Sequence, residues 1–140
     1  MSVMEAVAGV EFLYATLTGD STLMAIVTGV FRDVAPDQAV PPFIVLNLQA
    51  GADVLTANKV RLMSSALYQV RALGPASMST QLAAAAARID DLLKRTNGTV
   101  TGGNIGYCYR ESPVLRGLPP VQGVAWAAIG GMYRMGIQAM

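Results

Sequence analysis

The sequence predicts an α+β domain: a mixed, largely antiparallel sheet packed with two main helices. Two segments, 3–17 and 78–93, carry apolar residues three and four apart, the spacing of one helix face. Between and after them the apolar period changes to two, the mark of strands with one buried side. No repeat, low-complexity tract or linker interrupts the 140 residues, a length that suits one domain over 1–140.

In the first helix Val3, Val7, Val10, Leu13, Tyr14 and Leu17 form the expected buried stripe, and Gly19-Asp20 breaks it. Asp20 or Ser21 can cap a short second turn through Leu23, Met24, Ile26 and Val27, which Gly29 ends. Residues 34–42 read as a loop, because Pro36, Pro41 and Pro42 have no N–H to give a ladder. Residues 43–49 then alternate, with Ile44, Leu46 and Leu48 on one face and Asn47 and Gln49 on the other. A turn or mobile loop is expected over 51–58.

The longest alternating run is 60–72. Its even positions (Val60, Leu62, Ser64, Ala66, Tyr68, Val70, Ala72) form the core face, and its odd positions include Arg61, Ser65, Gln69 and Arg71, with Met63 and Leu67 among them. Gly74-Pro75 stops it, and Ser77 or Ser79 starts a helix. Met78, Leu82, Ala85, Ile89 and Leu92 make that helix's stripe, widened by Leu93. Gln81, Ala84, Arg88, Asp91 and Arg95 take the far side, and five consecutive alanines (83–87) permit close approach to a neighbour. Lys94 and Arg95 suit the negative C-terminal end, which Asn97-Gly98 can close.

The remainder reads as a strand over 105–111, a loop over 112–120 and a long strand or hairpin over 121–138. The odd positions from Val121 to Ile137 are almost wholly apolar, which sends Tyr133 to the core and Arg134 away from it. Gly130-Gly131 is the expected bulge or turn in that segment. The core anchors of the whole chain are Tyr14, Phe43, Tyr68, Leu82, Ile89 and Tyr133. The small, polar segments 51–58 and 96–104 are expected to stay mobile until a partner orders them.

Composition points away from catalysis and toward assembly. Hydrophobic residues make up 53% of the chain and charged ones only 14%, against about 25% in an ordinary soluble domain. A domain this small leaves roughly a third of its unfolded surface in water. Fourteen per cent charge is thin cover for that area, so apolar surface is expected to meet protein partners. Ten Lys+Arg against nine Asp+Glu give no basic field for nucleic acid. There is no histidine, the commonest general base and metal ligand. Cys108 stands alone, which rules out an internal disulfide, fits a reducing compartment and suits a buried strand position.

Mean hydropathy is +0.43, yet no segment reads as a membrane span. The start of the chain has no basic leader, and Glu5 and Glu11 interrupt its apolar stretch, so no signal peptide is expected. The uncharged run 117–133 contains Pro119, Pro120, Gly123, Gly130 and Gly131, unlike a spanning helix of about 20 apolar residues. Glu5 and Glu11 are too far apart to act as a pair, and Asp90 and Asp91 diverge around their helix. Residues 98–103 are glycine-rich but lack the Lys-Ser/Thr of a phosphate loop, so a flexible connection is expected there. No catalytic residue, metal ligand or cofactor is expected.

The order of these elements resembles the tail-terminator, or tail-completion, proteins of long-tailed phages. The resemblance runs over residues 10–138 and is carried by Phe12-Leu-Tyr-Ala-Thr-Leu17, Thr22-Leu-Met-Ala25, Val34-Ala-Pro36, Pro42-Phe-Ile-Val45, Arg71, the Ala/Leu run 86–93 and Gly131-Met-Tyr-Arg134. Residues 115–128 depart from that pattern. The resemblance implies a structural virion protein at the tail–neck junction, assembled in the host cytoplasm, forming a sixfold ring on the finished tail tube. Its partners would be further copies of itself, the tail tube protein and a neck or head-closure protein. DNA would pass through the lumen without sequence-specific binding, and no membrane is involved. Such a ring closes by heterologous contacts, one side of each subunit meeting the other side of the next. Arg61, Arg71 and Arg134 are the candidate interface residues. They would line the DNA passage, or else stand as solvated strand positions or partners for acidic residues across an interface. A head-closure or adaptor ring of the neck, and a stand-alone α+β binding domain, are the alternatives.

Overall fold

The computed structural model describes residues 3–55, 61–94, 96–100 and 102–139, with the backbone alone at 61, 62 and 139. The elements run α1 (Val3–Thr18), α2 (Ser21–Ile26), β1 (Val30–Arg32), β2 (Phe43–Leu55), β3 (Arg61–Pro75), a 3-10 turn (Ala76–Met78), α3 (Ser79–Leu93), β4 (Gly98–Val100), β5 (Gly103–Val121) and β6 (Val124–Ala139). The strands form one sheet in the order β1-β2-β3-β6-β5-β4, antiparallel except where β1 runs parallel to β2. The expected α+β architecture, a largely antiparallel sheet with two main helices, is the one observed.

The core lies between one face of the sheet and α1 and α3. On β3 the even positions Ser64, Ala66, Tyr68, Val70 and Ala72 are all fully buried, as the alternation dictates. Val60 and the Leu62 side chain, expected on the same face, lie outside the described residues. From β2, β5 and β6 the core takes Ile44, Leu46, Ile105, Cys108, Tyr133, Met135 and Ile137. α3 contributes Leu82, Ala85, Ile89 and Leu93, while Met78 and Leu92 sit at the margin. Arg95 lies outside the described residues.

Several expectations from the sequence are overturned. The buried side of α1 is Glu5, Ala8, Gly9, Phe12, Leu13 and Leu17, so Val3 and Val7 face outward, 78% and 44% exposed. The cause is close packing. A Cβ at Gly9 would fall within 2.5 Å of Tyr68 Cζ, so the small-residue side of α1 rests directly on the sheet. Tyr68 completes that contact by donating its hydroxyl to the Ala6 carbonyl at 2.9 Å.

Residues 51–55, expected in a loop, continue β2 and pair with β3 after a bulge between Leu48 and Ala50. Residues 56–58 of that expected loop lie outside the described residues. Within 96–104, Gly98–Val100 and the residues from Gly103 are strand, not loop. β4 folds back on β5, Gly102 takes φ +92° at the corner, and a Cβ at Gly103 would meet that of Ala8 at 2.9 Å. Thr101, in the same stretch, lies outside the described residues.

The largest correction concerns 112–120, which is strand and not loop. β5 and β6 form a single long hairpin whose turn is Gln122-Gly123, both at positive φ (51° and 78°), the backbone of a two-residue hairpin turn. Gly130-Gly131 is not a turn. Gly130 lies mid-strand, where a Cβ would strike the Val70 carbonyl and come within 2.6 Å of Arg71 Cα. Glycine there lets β6 seat against β3.

Candidate assembly surfaces

β1 covers β2 only at Ile44, Val45 and Leu46, and β4 covers β5 only at Gly103, Asn104 and Ile105. Among the described residues, 47–55 on one side of the sheet and 106–121 on the other therefore have an outer edge with no strand beside it. Exposed edges of this kind are templates for contact with another chain unless blunted. The β5 edge carries three such blunting residues, Pro113, Pro119 and Pro120, which cannot donate to a ladder. Contacts along its outer half must come mainly from side chains.

Each side also shows apolar surface. Beside β2, a groove of about 420 Å³ lies between α1 and the sheet, lined by Val3, Val7, Val10, Leu46 and Leu48 with Arg32 at its rim. Arg32 pairs with Glu11 at 3.0 Å and lies over the Tyr14 ring, 4.3 Å from its centroid. Tyr14, an expected core anchor, thus sits half-buried at the margin. On the far side, a groove of about 450 Å³ separates α3 from the hairpin, with Ala83, Ala86 and Ala87 facing Leu115 and Ile129. Leu115 is 80% exposed, and Val34 and Val40 in the 33–42 loop are 79% and 63% exposed. The other expected anchors, Phe43, Tyr68, Leu82, Ile89 and Tyr133, are all buried. Phe43 packs against Phe31 and Trp126, with ring centroids 5.8 and 6.0 Å apart.

The face turned away from the helices holds two of the three singled-out arginines. Arg71 faces Gly130 across the ladder and Arg134 faces Leu67, four residues along, so the two share a face. They have different surroundings. Arg134 grips Glu111 through both carboxylate oxygens, each 3.1 Å from Nη2, and reaches Ser65 Oγ at 3.4 Å. Arg71 has no such partner among the described residues. Its Nε is buried without a hydrogen bond, as is the neighbouring Asn47 Oδ1. Burial and the nearby Arg116 charge both push the Arg71 pKa down. The Arg61 side chain lies outside the described residues. Arg116, which sequence reasoning missed, opens onto a polar groove of about 420 Å³ with Gln49, Gln69 and Ser112. Three prolines made its segment read as loop, although prolines are also tolerated on an edge strand.

Groups with chemical potential are engaged in structure. Cys108 is 1% exposed, and burial pushes its thiol up to about 12, far from a reactive thiolate. Glu5 is buried and accepts the Ser64 hydroxyl, which also contacts Asp53. Asp90 lies 3.3 Å from the Tyr133 hydroxyl and 3.7 Å from Arg110. Burial, more than Asp90, raises the Tyr133 pKa. Among the described residues no group of three His, Cys, Asp or Glu could hold a metal ion, and no helix is long and apolar enough to cross a membrane.

The sheet thus has two open edges, each flanked by a largely apolar groove. Comparison with solved structures finds the same fold in a gene transfer agent particle. A chain in the "Virion of native gene transfer agent (GTA) particle" superposes with a TM-score of 0.77 over 97% of this chain and 98% of that one, at 19% identity. This chain has that virion chain's fold. No protein-family model matches the sequence, and no curated protein does.

Proposed function

We propose that this chain is a structural, non-enzymatic protein of a phage-like virion, and that it forms a ring on the end of the tail tube. The ring stops tube growth and offers the neck a docking surface. The observation that carries this reading is the whole-length match to the gene transfer agent virion chain, which uses nearly all of both chains. It agrees with the tail-terminator resemblance of the sequence. The open edges on opposite sides of the sheet support ring closure by heterologous contacts. In this reading the face bearing Arg71 and Arg134 turns toward a neighbouring subunit, the tube or the DNA passage.

The test is to mix purified, labelled protein with tail tubes and with filled heads of its own particle, and to image both. The label is expected on one end of each tube, and tube protein added afterwards should not extend the capped end. Label on filled heads with bare tubes would favour a head-closure or adaptor ring. A persistent monomer that binds neither would overturn the virion reading.

A further inference from the structure

The two open sides of the sheet are complementary in charge. The 33–42 loop, which joins the edge strand β1 to β2, contains Asp33 and Asp37 and no Lys or Arg. Both aspartates are exposed, and neither has an ion pair among the described residues. On the opposite side, Arg116 is the sole charged residue of 112–125. It too is exposed and has no ion pair among the described residues, and its charge disfavours that of the nearby Arg71. A carboxylate brought to this edge would relieve that repulsion.

The two sides also match in apolar surface and in height. Val34 and Val40 stand out from the loop as Leu115 does from the hairpin. One rung of the ladder runs straight across the sheet: Val30, Ile44, Ala72, Ile129, Leu115. Leu115 and Arg116 therefore lie level with the starts of β1 and β2, where the loop ends at Phe43; the loop leaves β1 after Arg32, two rungs further along. This matters for closure. Subunits related by rotation alone must present matching patches at one height, whereas an offset generates a helical filament.

We propose that the 33–42 loop of one copy docks on the β5 edge of the next, with Asp33 and Asp37 facing Arg116 and with Val34 and Val40 covering Leu115. The inference rests on the ring reading above and names the surfaces that close the ring. The pairing is one of side chains, in keeping with the prolines that blunt this edge.

Cross-linking tests it. Val34→Cys and Leu115→Cys are made in separate chains, mixed at high concentration with and without tail tubes, and treated with a short bis-maleimide. The buried Cys108 serves as the internal control. A 34–115 intermolecular link is expected, and a chain bearing both cysteines should give a ladder ending in a closed ring. Asp33→Lys with Asp37→Lys in one variant, and Arg116→Glu in another, should each weaken self-association by about tenfold or more, since like charges then face each other. Mixing the two variants should restore the link between the reversed loop and the reversed edge. Absence of the 34–115 link, in solution and on tubes alike, overturns the inference, as does unchanged assembly of both reversed variants. Capture of Leu115→Cys by tube protein in place of a second copy also overturns it. Cysteine variants that cap tubes without forming the link would sink this inference alone. Protein that forms the link and leaves tube ends bare would sink the cap reading alone.

Discussion

Neighbouring residues on β6 have opposite tasks. Tyr133 is 1% exposed, lies in the core and reaches Asp90 with its hydroxyl, whereas Arg134 points to the other face and holds Glu111. Truncating a buried aromatic costs the transfer energy of the ring and leaves a cavity. Tyr133→Ala should therefore lose about 3–5 kcal/mol of stability. Arg134→Ala removes a partly exposed ion pair, a loss of about 1 kcal/mol or less. Thermal melts of both variants check the difference, and equal melting temperatures would contradict this register. Gly130 shows the same economy of space. Its missing side chain is what admits the Val70 carbonyl, a role that the sequence disguised as a turn signal.

At the scale of elements, Asp20 ties the second helix to the third. Its carboxylate accepts both Arg88 donors at 2.8 Å and the Leu23 N–H at 2.9 Å, so it caps α2 and latches it to α3. These bonds, Arg88 first, lower its pKa from 3.8 to about 2. A group whose folded pKa is depressed stabilises the fold above its unfolded pKa and loses that contribution as pH falls through the folded one. The latch should thus contribute fully above about pH 5 and lose that contribution progressively as pH falls toward about 1. Melts of wild type and Asp20→Asn across that range check it: the gap between them should close as the pH falls, and a constant gap would count against the latch. The cap was legible because Asp20 follows a glycine break and precedes an apolar turn. The core face of β3 was legible too, because seven even positions from 60 to 72 alternate with a more polar set and leave one consistent solution. β1 and β4 were not, since three residues are too few to show a period. The face of α1 was misread for a different reason. Its buried contacts are made partly by Ala8, Gly9 and Glu5, residues that carry no hydrophobic signal, while Val3 and Val7 lie outside.

For the whole molecule the decisive shape is the long hairpin, hidden in the sequence behind Pro113, Pro119 and Pro120. β3 accompanies β6 as far as Trp126, which pairs with Pro75 on one side and Leu118 on the other. Beyond that rung the turn region has no third strand, Val121 and Val124 are 51% and 48% exposed, and a Cβ at Gly123 would meet nothing within 4 Å. A segment so poorly packed adds little to the core. Trimming residues 119–125 and joining 118 to 126 through Asn-Gly, a turn that matches strand twist, should leave a folded subunit. Its melting temperature should fall by only a few degrees, the shift of about 1 kcal/mol in a domain of this size. Association with tail tubes should fall much further, because the projecting apolar tip is then missing from whichever neighbour it reaches. Circular dichroism melts and tube-end binding, measured on the same preparation, separate the two effects. An unfolded trimmed chain would make the tip part of the folding core. A trimmed chain that caps tubes like wild type would make it a passive extension of the sheet.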